Sequence, residues 1–120
     1  MKNQKILRYR VFGKRLIIAS QEGIYKASFL YPIHKVEQFG DILVAMLNVP
    51  IDVTFNENIF GVSWDGKILW QIPVIKHLYD SCPYTGLYKE NDCVGAFNMD
   101  GTDLILNPLT GEIIKRGYSK

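Results

Sequence analysis

The chain has 120 residues, 48% hydrophobic and 22% charged, with ten Gly, five Pro, six Phe, two Trp and seven Tyr. One domain spanning 1–120 is expected, long enough to bury roughly two-thirds of its unfolded surface, and disordered and collagen-like chains are excluded. The net charge of +2 is segregated: residues 1–35 carry +7, residues 36–112 carry −8 and residues 113–120 carry +3, so the middle of the chain suits a basic partner and opposes nucleic acid.

In chain order, Ile6 to Phe12 reads as a strand that turns through Gly13-Lys14-Arg15 into a second strand, Leu16 to Ser20. Glu22-Gly23 then opens a third at Ile24-Tyr25. The stretch Val36 to Leu47 also suits a helix through Val36, Phe39, Leu43, Met46 and Leu47. Gly40-Asp41 interrupts that period, and the run Ile42 to Val49 before Pro50 reads better as a buried strand. Ile59 to Ser63 and Ile68 to Trp70 flank Asp65-Gly66 as a hairpin. Tyr84 to Lys89 leads through Glu90-Asn91-Asp92 into Cys93 to Asn98. Asp100-Gly101 follows, and Leu104 to Asn107 then turns through Pro108-Leu109-Thr110-Gly111 into Glu112 to Lys115.

Gly23, Gly66 and Gly101 each follow a small polar residue (Ser20, Ser63, Asn98) by three positions, and they are separated by 43 and 35 residues. Those spacings bracket the roughly 40-residue period of propeller blades. The expected fold is all-β: an open half β-propeller-like stack of antiparallel sheets with about ten short strands and little or no helix. Two and a half to three blades cannot close a ring that needs about four to eight. The open edges are therefore blocked by charge, paired in a homodimer or used for a partner.

No catalytic constellation emerges. Neither Gly-x-Ser-x-Gly nor a Gly-rich phosphate loop is present, and the densest reactive run, His77-Leu78-Tyr79-Asp80-Ser81-Cys82, matches no nucleophile signature. Asp65 and Asp100 sit in turns where Asp-Gly is the ordinary choice. Cys82 and Cys93 form no Cys-x-x-Cys pair, and His34 and His77 lack a nearby second ligand, so neither metal nor cofactor is expected. Lys2, Lys5, Arg8, Arg10, Lys14 and Arg15, interleaved with Tyr9 and Phe12, offer a basic strand surface, but charges protecting an edge strand explain them better than nucleic acid. The amino terminus lacks a signal-peptide apolar segment and no run suits a membrane span, so a cytoplasmic non-enzyme is expected.

The segment Asn58 to Ile72 resembles a blade of pyrroloquinoline-quinone-type propellers, and Asn107 to Ile113 is similar to that repeat's turn, without the Trp that would follow it. The wider order Leu47-Asn48-Val49-Pro50, Asn58 to Ile72, Pro83 to Tyr88, Asn98 to Gly101 and Asn107 to Gly111 resembles small bacterial proteins. Some of these are similar to immunity proteins of contact-dependent growth inhibition and other polymorphic toxin systems. The resemblance implies a protein that binds a cognate toxin C-terminal domain, a basic ribonuclease for instance, and blocks its active site. The residues expected to meet it are Trp64, Asp65, Tyr79, Asp80, Tyr84, Tyr88, Glu90, Asp92, Asp100 and Asp103, with carboxylates steering and aromatics anchoring. Tyr84 and Tyr88 suit packing within a strand equally well. The alternative is a propeller-like interaction module, or a self-associating β domain without a toxin partner.

Overall fold

The computed structural model describes residues 4–118, and among them eleven strands form three antiparallel sheets with no helix. The first sheet is β1 (Ile6–Phe12), β2 (Arg15–Ser20) and β3 (Gly23–Ser28). The second is β4 (Ile33–Phe39), β5 (Ile42–Leu47), β6 (Ile59–Ser63) and β7 (Ile68–Gln71), and the third is β8 (Tyr84–Glu90), β9 (Cys93–Asn98), β10 (Thr102–Leu106) and β11 (Ile113–Tyr118). Each sheet is a meander whose neighbours in sequence are neighbours in space. The sheets stack without closing, so the molecule is an open, propeller-like array.

Burial pattern decides the order of the layers. All six residues of β5 are buried, so this strand must lie between two apolar layers. On one face Val44 and Met46 pack with Ile59, Trp70, Leu87, Ala96 and Leu104 into a core shared with the third sheet. On the other, Leu43, Ala45 and Leu47 pack with Leu16, Ile18, Ala27 and Val62 into a core shared with the first. Strands of the outer sheets alternate instead: Leu16, Ile18 and Ser20 are buried while Arg15, Ile17 and Ala19 are not, and Thr102, Leu104 and Leu106 alternate with Asp103 and Ile105 in the same way. The stretch Val36 to Leu47 is two strands, β4 and β5, because Gly40 adopts a positive φ of 62° and reverses the chain at the point where the helical period fails.

The repeat is real, but its third copy is displaced from the expected position. In the first and second sheets the Gly-containing hairpin joins the last two strands, at Gly23 and Gly66, whereas Gly101 joins the middle two strands of the third. The residue equivalent to Gly66 is Gly111, between β10 and β11, so the spacings are 43 and 45 residues and nearly regular. Packing confirms the equivalence. A Cβ on Gly66 would fall 2.6 Å from the carbonyl oxygen of Lys26 on β3, and one on Gly111 would fall 2.6 Å from the ring of Trp70 on β7. In both cases the turn presses on the last strand of the preceding sheet, with φ positive, and no larger residue fits. Trp70 Nε1 fixes the second junction by donating to the Pro108 carbonyl at 2.8 Å.

Candidate functional site

Two segments form neither helix nor strand: residues 48–58 between β5 and β6, which hold one turn closed by Val53 N donating to the Pro50 carbonyl at 3.1 Å, and residues 72–83 between β7 and β8. Loops of this length in a compact domain are commonly functional. Their backbone groups find partners in Asn and Asp side chains rather than in a ladder. Buried Asn58 donates from Nδ2 to the carbonyls of Leu47 and Tyr84, each at 2.9 Å, and accepts from Tyr84 N at 2.7 Å. Asn56 donates to the Asp80 carbonyl at 2.8 Å and accepts from Cys82 N at 2.6 Å, which ties the two loops together. Asn98 donates to the Cys82 carbonyl at 2.7 Å, and Asp100 accepts from Leu78 N at 3.1 Å.

Held this way, the loops present an apolar and acidic surface. Ile51 is fully exposed, Val74 is 79%, Leu78 73% and Tyr79 55% exposed. Asp52 and Asp80 are exposed in the same loops and Glu57 is half-buried, while two cations are also present, Lys76 of the second loop and Arg116 of β11, which share a pocket with Leu78 and Asp100. Exposed apolar side chains rimmed by carboxylates on preorganised backbone suit the docking of a cationic protein surface.

Beneath this surface lies a polar staple. His77 Nδ1 and Asp100 Oδ2 are 3.1 Å apart with both side chains buried, and Thr102 N donates to the other carboxylate oxygen at 2.9 Å. Burial on its own pushes the Asp100 carboxyl up, but hydrogen bonds from Thr102, Leu78 and His77 outweigh it and hold the pKa at about 2. Burial, with the Asp100 charge behind it, pushes the Cys82 thiol up. Ligand atoms of His77, Cys82 and Asp100 lie within 4.8 Å of one another, so the second ligand that sequence spacing denies His77 is supplied by the fold. Cys82 Sγ, His77 Nδ1 and Asp100 are engaged with one another and with Asn98, whereas His77 Nε2 is buried without a hydrogen-bond partner. Cys82 Sγ donates to Asn98 Oδ1 at 2.6 Å, and His77 and Asp100 bond each other. The thiol is fully buried and its pKa raised, the opposite of an activated nucleophile.

The structure divides the ten residues expected to meet a partner. Tyr79 and Asp80 lie on the loop surface. Asp100 lies below it as an anchor, and Tyr84 is 2% exposed within the core, its ring edge-on to His77 at 5.5 Å, so Tyr84 packs rather than docks. Tyr88, Glu90 and Asp103 line a groove of about 490 Å³ on the outer face of the third sheet. There the Tyr88 hydroxyl donates to Asp103 Oδ1 at 2.6 Å, and burial followed by that hydrogen bond pushes the phenol up to about 12. Asp92 is exposed at the β8–β9 turn. Trp64 and Asp65 belong to the seam between the first and second sheets: Trp64 meets Tyr25 edge-on and carries Lys5 at 4.8 Å over its ring. Asp65 accepts from Ser63, the main cause of its lowered pKa, and pairs with Lys67. The −8 segment is therefore no single patch, because Asp41, Asp65 and Asp100 are spent on backbone and turn contacts.

Sequence reasoning missed Asn56, Asn58 and Asn98 as anchors, and Ile51, Val74 and Leu78 as surface. In residues 72–83 the available signal was apolar residues without period-two alternation, whereas Val49, Ile51, Val53 and Phe55 alternate with polar or Pro positions and read as a strand.

Residues 6–118 match the model of the family described as a domain of unknown function, DUF7957, and the chain belongs to that family. No curated protein matches it. Among solved structures it is similar to the computationally designed Ika8 protein at 13% identity and a TM-score of 0.56, covering 93% of this chain and 36% of that one. It is likewise similar to the designed Ika4 protein at 14% identity and a TM-score of 0.55, covering 98% of this chain and 74% of that one. At those identities the likeness is one of fold. Among the described residues no helix is long and apolar enough to cross a membrane.

Proposed function

We propose that this chain is a non-enzymatic, cytoplasmic protein-binding module that neutralises a basic bacterial toxin domain by docking it on the surface of loops 48–58 and 72–83. The observation that carries this reading is the coincidence, on backbone fixed by buried Asn and Asp side chains, of exposed Ile51, Leu78 and Tyr79 with the carboxylates of Asp52 and Asp80. A carboxylate-rimmed apolar surface complements the cationic groove with which a nuclease holds phosphate, so occupying that groove would block its substrate. The toxin class comes from the resemblance to immunity proteins, and the loop geometry supplies the chemistry of the contact.

The test is co-purification with a basic ribonuclease toxin domain of a contact-dependent inhibition system, followed by titration calorimetry. A tight complex that weakens with salt is expected, and Tyr79→Ala with Asp80→Lys should weaken it at least about tenfold, since central aromatics and paired charges dominate such interfaces. Absence of a complex, or binding untouched by that double substitution in a folded protein, sinks the proposal. Charge reversal at Asp65 or Asp100 is a poor probe, because both hold the fold's own turns.

A further inference from the structure

The two end faces of the stack are uncovered and differ in sign. Cross-strand register places Arg8 with Ala19 and Ile24, and Arg10 with Ile17 and Lys26, on the outer face of the first sheet. Arg8, Arg10 and Lys26 are exposed around the half-buried Ile17. On the outer face of the third sheet, register aligns Tyr88 with Gly95, Ile105 and Lys115, Phe97 with Asp103, and Glu90 with Cys93. A Cβ on Gly95 would lie 2.3 Å from the Tyr88 ring, so that ring lies flat on the sheet. One end is thus cationic and aliphatic, the other aromatic and anionic apart from Lys115.

Both internal junctions are built alike, with a turn glycine pressed on the last strand of the sheet before it: Gly66 on β3 and Gly111 on β7. The first sheet turns at Gln21-Glu22 into Gly23, whose φ of 142° differs from the 83° and 75° of the junction glycines and where a Cβ would meet Tyr25 of its own strand at 3.8 Å, and β11 is a last strand with no sheet after it. The molecule measures 43 × 32 × 18 Å.

We infer that a second copy of this chain covers both ends. The cationic outer face of the first sheet in one copy packs on the anionic, aromatic outer face of the third sheet in the other. Two such junctions close a ring of six sheets, within the range of about four to eight that rings adopt. Head-to-tail contacts form a closed ring only when their rotation closes, and open filaments otherwise. This assembly uses the end faces and leaves the loop surface free, so it stands or falls separately from toxin docking.

Light scattering and sedimentation of the full chain test it. The expected mass is twice that of the chain, constant across the micromolar range at moderate salt. A monomer throughout, or a mass that keeps growing with concentration, overturns the ring. Arg8→Glu with Arg10→Glu alters only exposed side chains and should yield a folded monomer by circular dichroism; a dimer that survives it overturns the assigned faces. Glu90→Lys with Asp103→Lys reverses the opposite end. An equimolar mixture of the two variants restores opposite charges at one junction and keeps the natural pair at the other, so a heterodimer should re-form. Failure to re-form it from two folded variants overturns the pairing.

Discussion

Asp100 shows how one side chain can look like a turn residue in sequence and act as an anchor in space. Asp-Gly predicts the reversal at Gly101, and the carboxylate does accept from Thr102 N within that turn, but it also reaches 22 residues back in sequence to Leu78 N and meets His77. With its pKa near 2 in the fold against an ordinary 3.8, the unfolded chain binds more protons than the native one between those values. The stability Asp100 contributes is therefore complete above about pH 4 and lost as pH falls through about 2. Asp100→Asn should flatten that acid limb in urea titrations across pH. It should also cost about 1.5–3 kcal/mol at neutral pH, the range for hydrogen bonds to a charged group. An unchanged acid limb would mean that another carboxylate governs it. Neither Leu78 nor His77 is legible as a partner of Asp100, because the pairing depends on how the β7–β8 loop crosses the third sheet.

At the scale of elements, the strands follow from local pattern and the long loops do not. Alternation and Gly-centred turns locate most strand limits, because a hairpin is decided by residues close in sequence. In the loops 48–58 and 72–83 such signals do not decide the structure, since Val49 to Phe55 alternates like a strand yet forms none, and their shape is set by three asparagines bonding backbone far away. Asn58 is the clearest case, since it satisfies Leu47 of the second sheet and both backbone groups of Tyr84 at the start of the third. Asn58→Ala leaves a buried amide and two buried carbonyls short of partners. At about 1–3 kcal/mol for each unsatisfied group, the loss should reach several kcal/mol by chemical denaturation. A loss under about 1 kcal/mol would show that water replaces the amide.

For the whole molecule, the shared strand β5 implies one cooperative unit. Its two faces belong to two cores, so neither core can dissolve without exposing the back of the other. The tryptophans report on them separately, Trp64 at the first-sheet side and Trp70 in the core shared with the third. Fluorescence of Trp64→Phe and Trp70→Phe proteins should each follow that variant's own circular dichroism transition, with a single midpoint for both probes. A fluorescence midpoint displaced from the dichroism midpoint would reveal sheets that unfold in turn.

The sequence by itself determined the all-β class, the strands, the blade-like repeat and the unfinished ring, because these rest on period-two patterning, turn chemistry and length. The layer order was not legible there, because Leu16 to Ala19 and Cys93 to Phe97 are continuous apolar runs like β5 and yet lie in the end sheets. Only the tertiary structure decided which turn is equivalent to which, since Gly101 and Gly111 look alike until one of them is seen pressing on Trp70. It also decided the fate of the acidic segment. Carboxylates adjacent in sequence lie on opposite faces of a strand or at separate turns, so a count of charge along the chain cannot tell those that bind backbone, as Asp41 and Asp100 do, or a turn hydroxyl, as Asp65 does, from those left facing solvent, as Asp52 and Asp80 are.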